Sequence, residues 1–144
     1  MVQLREITRE NYMECINLKV AQAQQHFVAS NAFSLAQAAY QNEYVPLAIY
    51  NGEQMVGFLM HGIDSDDDQH WICRLMVAQQ YQKSGYGRAA MCLIMQKIQQ
   101  DKARNKILIS FEPDNSVAQN LYASLGFRHT GKVIEGETVM QYDY

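Results

Sequence analysis

The order of apolar runs in this 144-residue chain predicts an α/β (α+β) fold: one mixed, mostly antiparallel sheet of about seven strands, with helices on both faces. Three observations lead there. Helix-spaced and strand-spaced segments follow one another as β-α-α-β-β-β-α-β-α-β-β. Asn51-Gly52 sits between two apolar runs, as a two-residue hairpin requires. A strand also runs directly into the turn Gln82-Lys83-Ser84-Gly85-Tyr86-Gly87-Arg88, which opens a helix. No repeat, low-complexity tract or linker interrupts the chain, so residues 1–144 read as one domain.

Leu4 to Ile7 reads as a short strand, and Thr8 can cap a helix whose apolar positions Met13, Ile16, Val20, Ala23 and Phe27 recur at helical spacing. A polar break at Ser30-Asn31 precedes a second helix over Leu35 to Asn42. Val45 to Tyr50 and Met55 to His61 flank Asn51-Gly52, the dipeptide of a type I′ turn, and are expected to pair antiparallel. The acidic loop Asp64 to Gln69 leads into strand Trp71 to Val77, the glycine turn, and a helix over Arg88 to Gln99. That helix carries Met91, Ile94, Met95 and Ile98 on one face, which is core filling. Lys106 to Glu112 has the β-branched, apolar character of a central strand, ended by Pro113. Asp114 or Asn115 can cap a short helix burying Val117, Ala118, Leu121, Tyr122 and Leu125, and Gly126 is placed to terminate it. Phe127 to Tyr144 reads as two strands turning near Glu135-Gly136.

A chain of this length can bury roughly 70% of the surface its unfolded form exposes, so its stability requires neither disulfide nor metal. Cys15, Cys73 and Cys92 are odd in number and widely spaced, which suits reduced thiols rather than a disulfide framework or zinc site. His26, His61, His70 and His129 lack metal-ligand spacing, and no metal is expected. The N-terminus has no apolar signal region and no stretch approaches a membrane span, so a soluble cytoplasmic protein without membrane partners is expected. A formal charge of −3 and a pI of about 5.7 argue against a nucleic-acid surface and suit a cationic small molecule.

The glycine turn is the most informative segment. A strand that ends in a tight turn and opens a helix leaves several N–H groups pointing into one concavity, where they can hold phosphate oxygens. A Cβ at Gly85 or Gly87 would obstruct a phosphate or forbid the required φ, while Gln82 and Arg88 can add side-chain donors. The bland alternative is an ordinary strand-to-helix turn. Two other nucleotide motifs fail: Lys83-Ser84 precedes Gly85, the wrong order for a Walker loop, and Ala90 stands where a dinucleotide fingerprint needs its third glycine.

Gln82, Gly85 and Gly87, after the strand that ends at Val77, resemble the acetyl-CoA signature Gln/Arg-x-x-Gly-x-Gly/Ala of the GNAT superfamily of N-acetyltransferases. The segment Asn115-Ser-Val-Ala-Gln-Asn-Leu-Tyr122-Ala-Ser-Leu-Gly126-Phe127 resembles that superfamily's second signature, and the element order over essentially the whole chain is also similar. Tyr81-Gln82-x-x-Gly85-x-Gly87 after Arg74-Leu75-Met76-Val77, with a long N-terminal helical pair, looks like the diamine and spermidine/spermine acetyltransferase branch. Dimers are common among proteins that resemble this one, so a homodimer is an expectation.

The resemblance implies acetyl-CoA as co-substrate and assigns site residues. Backbone groups of Leu75, Met76 and Val77 would follow the pantetheine arm, with an N–H near Met76 facing the thioester oxygen as oxyanion support. The pyrophosphate would lie on the N–H groups of Lys83, Ser84, Gly85, Tyr86, Gly87 and Arg88. Leu108, Ile109 and Ser110, across splayed strands, would pack on the arm, with Asn115 bonded to it and Ala118 beside it. Tyr122 is the expected general acid, since a phenol of pKa about 10 can protonate a thiolate; otherwise it is an aromatic on the packing face of its helix.

The general base is less defined. Cys73 stands where some polyamine acetyltransferases carry a carboxylate. Glu112 and His70 are the candidates, each able to take the proton through water, and Cys73 as an acyl-carrying nucleophile is the less favoured alternative. The run Asp64-Ser65-Asp66-Asp67-Asp68 reads either as a holder of a cationic acceptor or as a solvated loop; Gln69 and Leu75 stand where a calcium loop needs glycine and glutamate. The expected activity is acetyl transfer from acetyl-CoA to a primary amine of a small cationic acceptor, a polyamine or diamine, by direct attack in a ternary complex. Acetylation of a protein or peptide α-amine or another small amine is one alternative, and an acyl-CoA-binding regulatory module without efficient transfer is another.

Overall fold

A computed structural model describes every residue from Met1 to Tyr144. Its strands are β1 (Val2–Glu6), β2 (Tyr44–Asn51), β3 (Gln54–Ile63), β4 (His70–Val77), β5 (Lys106–Phe111), β6 (Arg128–Ile134) and β7 (Glu137–Asp143). Its helices are α1 (Tyr12–Asn17), α2 (Asn31–Tyr40), α3 (Tyr86–Ile98) and α4 (Ser116–Ser124). The strands form one seven-stranded sheet in the order β1-β2-β3-β4-β5-β7-β6. Every neighbouring pair is antiparallel except β4 and β5, which are joined by a crossover through α3. The predicted mixed, mostly antiparallel sheet with helices on both faces is the one observed.

Each face has its own core. On one, Met91, Ile94 and Ile98 of α3 and Tyr122 of α4 pack with Ile72, Ile107, Ile109, Phe111 and Phe127. On the other, Cys15 of α1 and the partly buried Leu35 and Ala38 of α2 cover Ala48, Phe58, Met60 and Met76. Alternation along the strands sends successive side chains to the two layers, as a sheet covered on both sides requires.

The seam between β4 and β5 matters most for function. Only His70, Trp71 and Ile72 pair with β5, opposite Ile107, Leu108 and Ile109. Beyond them the strands part. The β3–β4 register passes from Met60 opposite Arg74 to His61 opposite Ile72, so Cys73 is an extra, bulged residue. A bulge bends and twists its strand, and here the second half of β4 stays with β3 and leaves β5.

Three expectations are corrected. The helix expected from Thr8 through Phe27 stops at Asn17: Leu18 is extended, with ψ 131°, and a 3-10 turn covers Gln22–Gln24. The chain bends because Leu18 enters the core and the Lys19 carbonyl accepts the Gln79 N–H at 2.9 Å, whereas the helix-spaced Met13 remains exposed. The long N-terminal helical pair is therefore absent. The second helix starts earlier than expected, because the Ser30 hydroxyl accepts the Phe33 N–H at 3.1 Å; the polar break is an N-cap. In the β2–β3 hairpin Asn51 pairs with Gln54, which leaves Gly52-Glu53 as the turn, with positive φ at Gly52 alone (+63°). That is the type II′ pattern, not I′. The type I′ pattern occurs in the last hairpin, where Glu135 (+51°) and Gly136 (+82°) both have positive φ.

Candidate active site

Where β4 and β5 separate, a cleft of about 790 Å³ opens. Leu75, Met76 and Val77 line one wall, and Ser110, Phe111, Glu112, Asn115, Ala118 and Tyr122 the other. Lys83, Gly85, Tyr86 and Gly87 close one end, while Glu135 and Glu137 border it elsewhere. The loop 24–29 joins the rim, and His26 Nε2 reaches Asp114 Oδ2 beside α4 at 3.2 Å.

The end formed by the glycine turn is a cradle of donors. The six consecutive backbone N–H groups from Lys83 to Arg88 find no acceptor in the protein. Three are the ordinary orphans of the first turn of α3, whose first bond runs from Ala89 N–H to the Gly85 carbonyl. The others are turned inward by left-handed backbone at Lys83 (φ +66°) and Gly85 (φ +84°), an arrangement that forms an anion nest. At Gly87 a Cβ would make only ordinary contacts of 3.7 and 3.9 Å with Val77 and Leu121, so nothing in the protein itself demands glycine there. A group occupying the cradle would.

The expected side-chain donors behave differently. The Gln82 amide donates to the Val77 carbonyl at 2.9 Å and pairs with Gln24, tying the turn to β4 and to the loop before α2. The Arg88 guanidinium donates to the Ser124 hydroxyl of α4. Neither is free for a phosphate. Ser84 and Arg88 do not line the cleft with their side chains, although their N–H groups belong to the free run.

The β4 wall needs a further correction. Ala78 N–H donates to the Val56 carbonyl of β3, and Val77, one residue back, has its carbonyl on the opposite edge, where Gln82 binds it. Peptides alternate along a strand, so Met76, paired with Phe58, directs its N–H and carbonyl toward β3. The N–H groups that face the gap are those of Leu75 and Val77. Met76 contributes its side chain instead, buried beneath the wall with Sδ 3.7 Å from Asn31 Nδ2.

Tyr122 is 5% exposed, yet it lines the cleft and its hydroxyl makes no hydrogen bond within the protein. Burial, with the negative charge of Glu137 adding, raises its pKa above the usual phenol range, so it holds its proton at neutral pH. Phe111 and Phe127 fix its ring, with centroids 5.7 and 5.9 Å away. The Asn115 side chain is engaged as the N-cap of α4, its oxygen accepting the Ala118 N–H at 3.2 Å. Leu108 and Ile109 lie in the paired part of β5 and do not reach the cleft; Leu108 borders a separate small hollow on the sheet. Only Ser110 of that trio does.

Of the expected bases, Glu112 lines the cleft and His70 does not. His70 is buried in the seam, its Nε2 3.0 Å from Nδ1 of His61. Cys73 borders the cleft, but burial pushes its thiol up to about 12, so it is not a thiolate nucleophile. The acidic loop is self-contained: Asp67 accepts the Trp71 indole N–H at 2.9 Å and Asp68 pairs with Arg104 at 2.7 Å, away from the cleft. Glu137 was not indicated by the sequence pattern. It is the first residue of β7, just past the Glu135-Gly136 turn, and only the β5–β7 register brings it beside the cleft, where Ser110 Oγ donates to it at 2.7 Å.

A family model described as the Acetyltransferase (GNAT) family matches residues 1–127. The chain belongs to the GNAT acetyltransferase family. It is similar to a spermine/spermidine N(1)-acetyltransferase of Bacillus subtilis, at 26% identity covering 96% of each chain. The fold is shared with the PaiA N-acetyltransferase of Thermoplasma acidophilum solved with coenzyme A (TM-score 0.73, 16% identity, 100% and 99% of the two chains). It is shared also with the spermidine N-acetyltransferase of Vibrio cholerae solved with coenzyme A and spermine (TM-score 0.75, 15% identity, 97% and 92%).

This GNAT protein is an acetyl-CoA-dependent N-acetyltransferase. Acetyl-CoA is its co-substrate and supplies the acetyl thioester and an anionic pyrophosphate. The run of free N–H groups and the splayed wall fit a ligand with one anionic end and one extended arm. No helix is long and apolar enough to cross a membrane, and no group of three or more His, Cys, Asp or Glu side chains is placed to hold a metal.

Proposed function

We propose that this GNAT enzyme acetylates a primary amine of a small cationic acceptor, a polyamine or diamine, by direct attack in a ternary complex. The observation that carries this reading is the acidic side of the cleft. Glu112, Glu135 and Glu137 all border it, and none has a cationic partner in the protein. Carboxylates gathered without a counter-ion favour a ligand that brings positive charge. The names of the Bacillus subtilis and Vibrio cholerae relatives support the same class.

In this reading the N–H groups from Lys83 to Arg88 hold the pyrophosphate, and those of Leu75 and Val77 face the arm and the developing oxyanion. Preorganised donors at that oxygen are worth about 3 kcal/mol of transition-state stabilisation. Tyr122 protonates the leaving sulfur. The protonated, half-buried Cys73 supports direct transfer over an acyl-enzyme route.

The test is thiol release from acetyl-CoA against a panel of polyamines, diamines, amino acids, aminoglycosides and a peptide with a free α-amine. Turnover confined to polyamines and diamines is expected. Preference for the peptide would replace the acceptor assignment, and acetyl-CoA binding without release for any amine would replace it with a binding module.

A further inference from the structure

Glu137 contributes to the acidic side of the cleft, and the acetyl transfer as proposed leaves open which carboxylate takes the acceptor's proton. Phe111 pairs with Thr138 at the end of the β5–β7 ladder, so Glu112 and Glu137 stand at the next opposed positions. Like charges directly opposite across a ladder are destabilising unless something neutralises them. Strand alternation puts Ser110 and Glu137 on one face, and Ser110 Oγ donates to a Glu137 oxygen at 2.7 Å. Phe111 points to the other face and packs against Tyr122 there. Tyr122 therefore reaches the gap from one side of the sheet and Glu137 from the other. A second, independent observation marks the gap as a ligand site: the Tyr122 hydroxyl, on a side chain only 5% exposed that lines the same cleft, has no partner in the protein.

We propose that Glu137 holds the acceptor's reacting ammonium and takes its proton, acting as the general base opposite Tyr122. This rests on the acetyl-transfer reading above. The ammonium gives one proton to the Glu137 carboxylate, and the neutral nitrogen then forms its bond to the acetyl carbon while the carbon–sulfur bond breaks. Tyr122 gives its proton to the departing sulfur and regains one from the acylated nitrogen, and Glu137 releases its proton to solvent. One amide, one thiol and one proton result. Placing acid and base on opposite faces lets the amine enter without crossing the leaving group. Glu112, just past the end of β5, and Glu135, in the β6–β7 turn, strengthen the hold on a cation, while His26, Arg74 and Lys83 are the basic groups on the cleft.

The experiment compares wild type, Glu137→Gln and Glu112→Gln by pH profiles of kcat/KM for spermidine, and by calorimetry of spermidine binding to the coenzyme A complex. Glu137→Gln is expected to lower kcat/KM about 10²-fold or more near neutral pH. The deficit should shrink toward pH 10 as the amine loses its proton unaided, and spermidine binding should weaken while acetyl-CoA affinity stays at the wild-type value. A wild-type profile in Glu137→Gln, a loss uniform across pH, or a pH-dependent loss that appears in Glu112→Gln instead would overturn the assignment. If wild type releases no thiol with any amine, the transfer reading fails; calorimetry then decides the ammonium site separately, and binding insensitive to Glu137→Gln would sink it as well.

Discussion

Burial sets the protonation state of Tyr122. Desolvation keeps the phenol protonated, and the aromatic neighbours Phe111 and Phe127 hold the ring without engaging its hydroxyl. Tyr122→Phe keeps the packing and removes the proton, so kcat should fall about 10²-fold or more with acetyl-CoA affinity unchanged in a binding titration. Wild-type turnover in that variant would remove the role. The place of Tyr122 on the cleft was legible in the sequence because its spacing from Asn115 and Gly126 forms part of a motif on one short helix. Glu137 was not, because its relation to Tyr122 runs through the pairing of β7 with β5, which no local pattern encodes. His70 was misleading for a similar reason: it reads as an available imidazole, but the β3–β4 hairpin buries it against His61.

Among the elements, the glycine turn carries the strongest local determinism. Gly85 has φ +84° and no atom within 4 Å of a built Cβ, so a side chain there meets no clash and pays only the left-handed backbone penalty. Gly85→Ala should therefore cost about 1–2 kcal/mol in urea unfolding and weaken acetyl-CoA binding as the cradle relaxes; unchanged stability and affinity would show that the conformation is not required. The same chemistry explains what could be read in advance. Strand, turn and helix are all local here, and the signature was complete. The first helix was overextended because its helix-spaced apolar residues suggested continuity, when the chain in fact bends at Leu18 to meet the Gln79 N–H. Sequence cannot give peptide direction, so it points to Met76, whereas the bond from Ala78 to Val56 shows that the N–H groups facing the gap are those of Leu75 and Val77.

For the whole molecule, the two parts of the sheet meet through three residue pairs, and His70 of that seam contacts His61 across the β3–β4 hairpin. Burial lowers the pKa of His61 to about 4, with the positive charges of His70 and Lys97 adding, and burial lowers that of His70. A folded-state pKa below the unfolded value of about 6.5 means that the unfolded chain binds the proton first. Stability is thus full above about pH 6.5 and is lost as pH falls toward 4, by about 3 kcal/mol for His61 alone. Urea midpoints measured from pH 7.5 to 4.5 should fall across that window, and His61→Leu should flatten the fall; a slope unaffected by that variant would contradict the assignment.

The same seam creates the cleft, since the bulge at Cys73 that ends β4–β5 pairing opens the space between Tyr122 and Glu137. Sheet order and the glycine-turn end of that space could be anticipated from motifs, whereas its acidic side emerges only when Glu135 and Glu137 of the last hairpin are brought to Glu112 after β5. On the proposed reading, that side selects the acceptor. The direct measurement is kcat/KM for spermidine beside that for a peptide α-amine, each with acetyl-CoA and each product identified by mass. The account predicts a single acetyl group on spermidine and little transfer to the peptide; efficient peptide acetylation with spermidine untouched would contradict it.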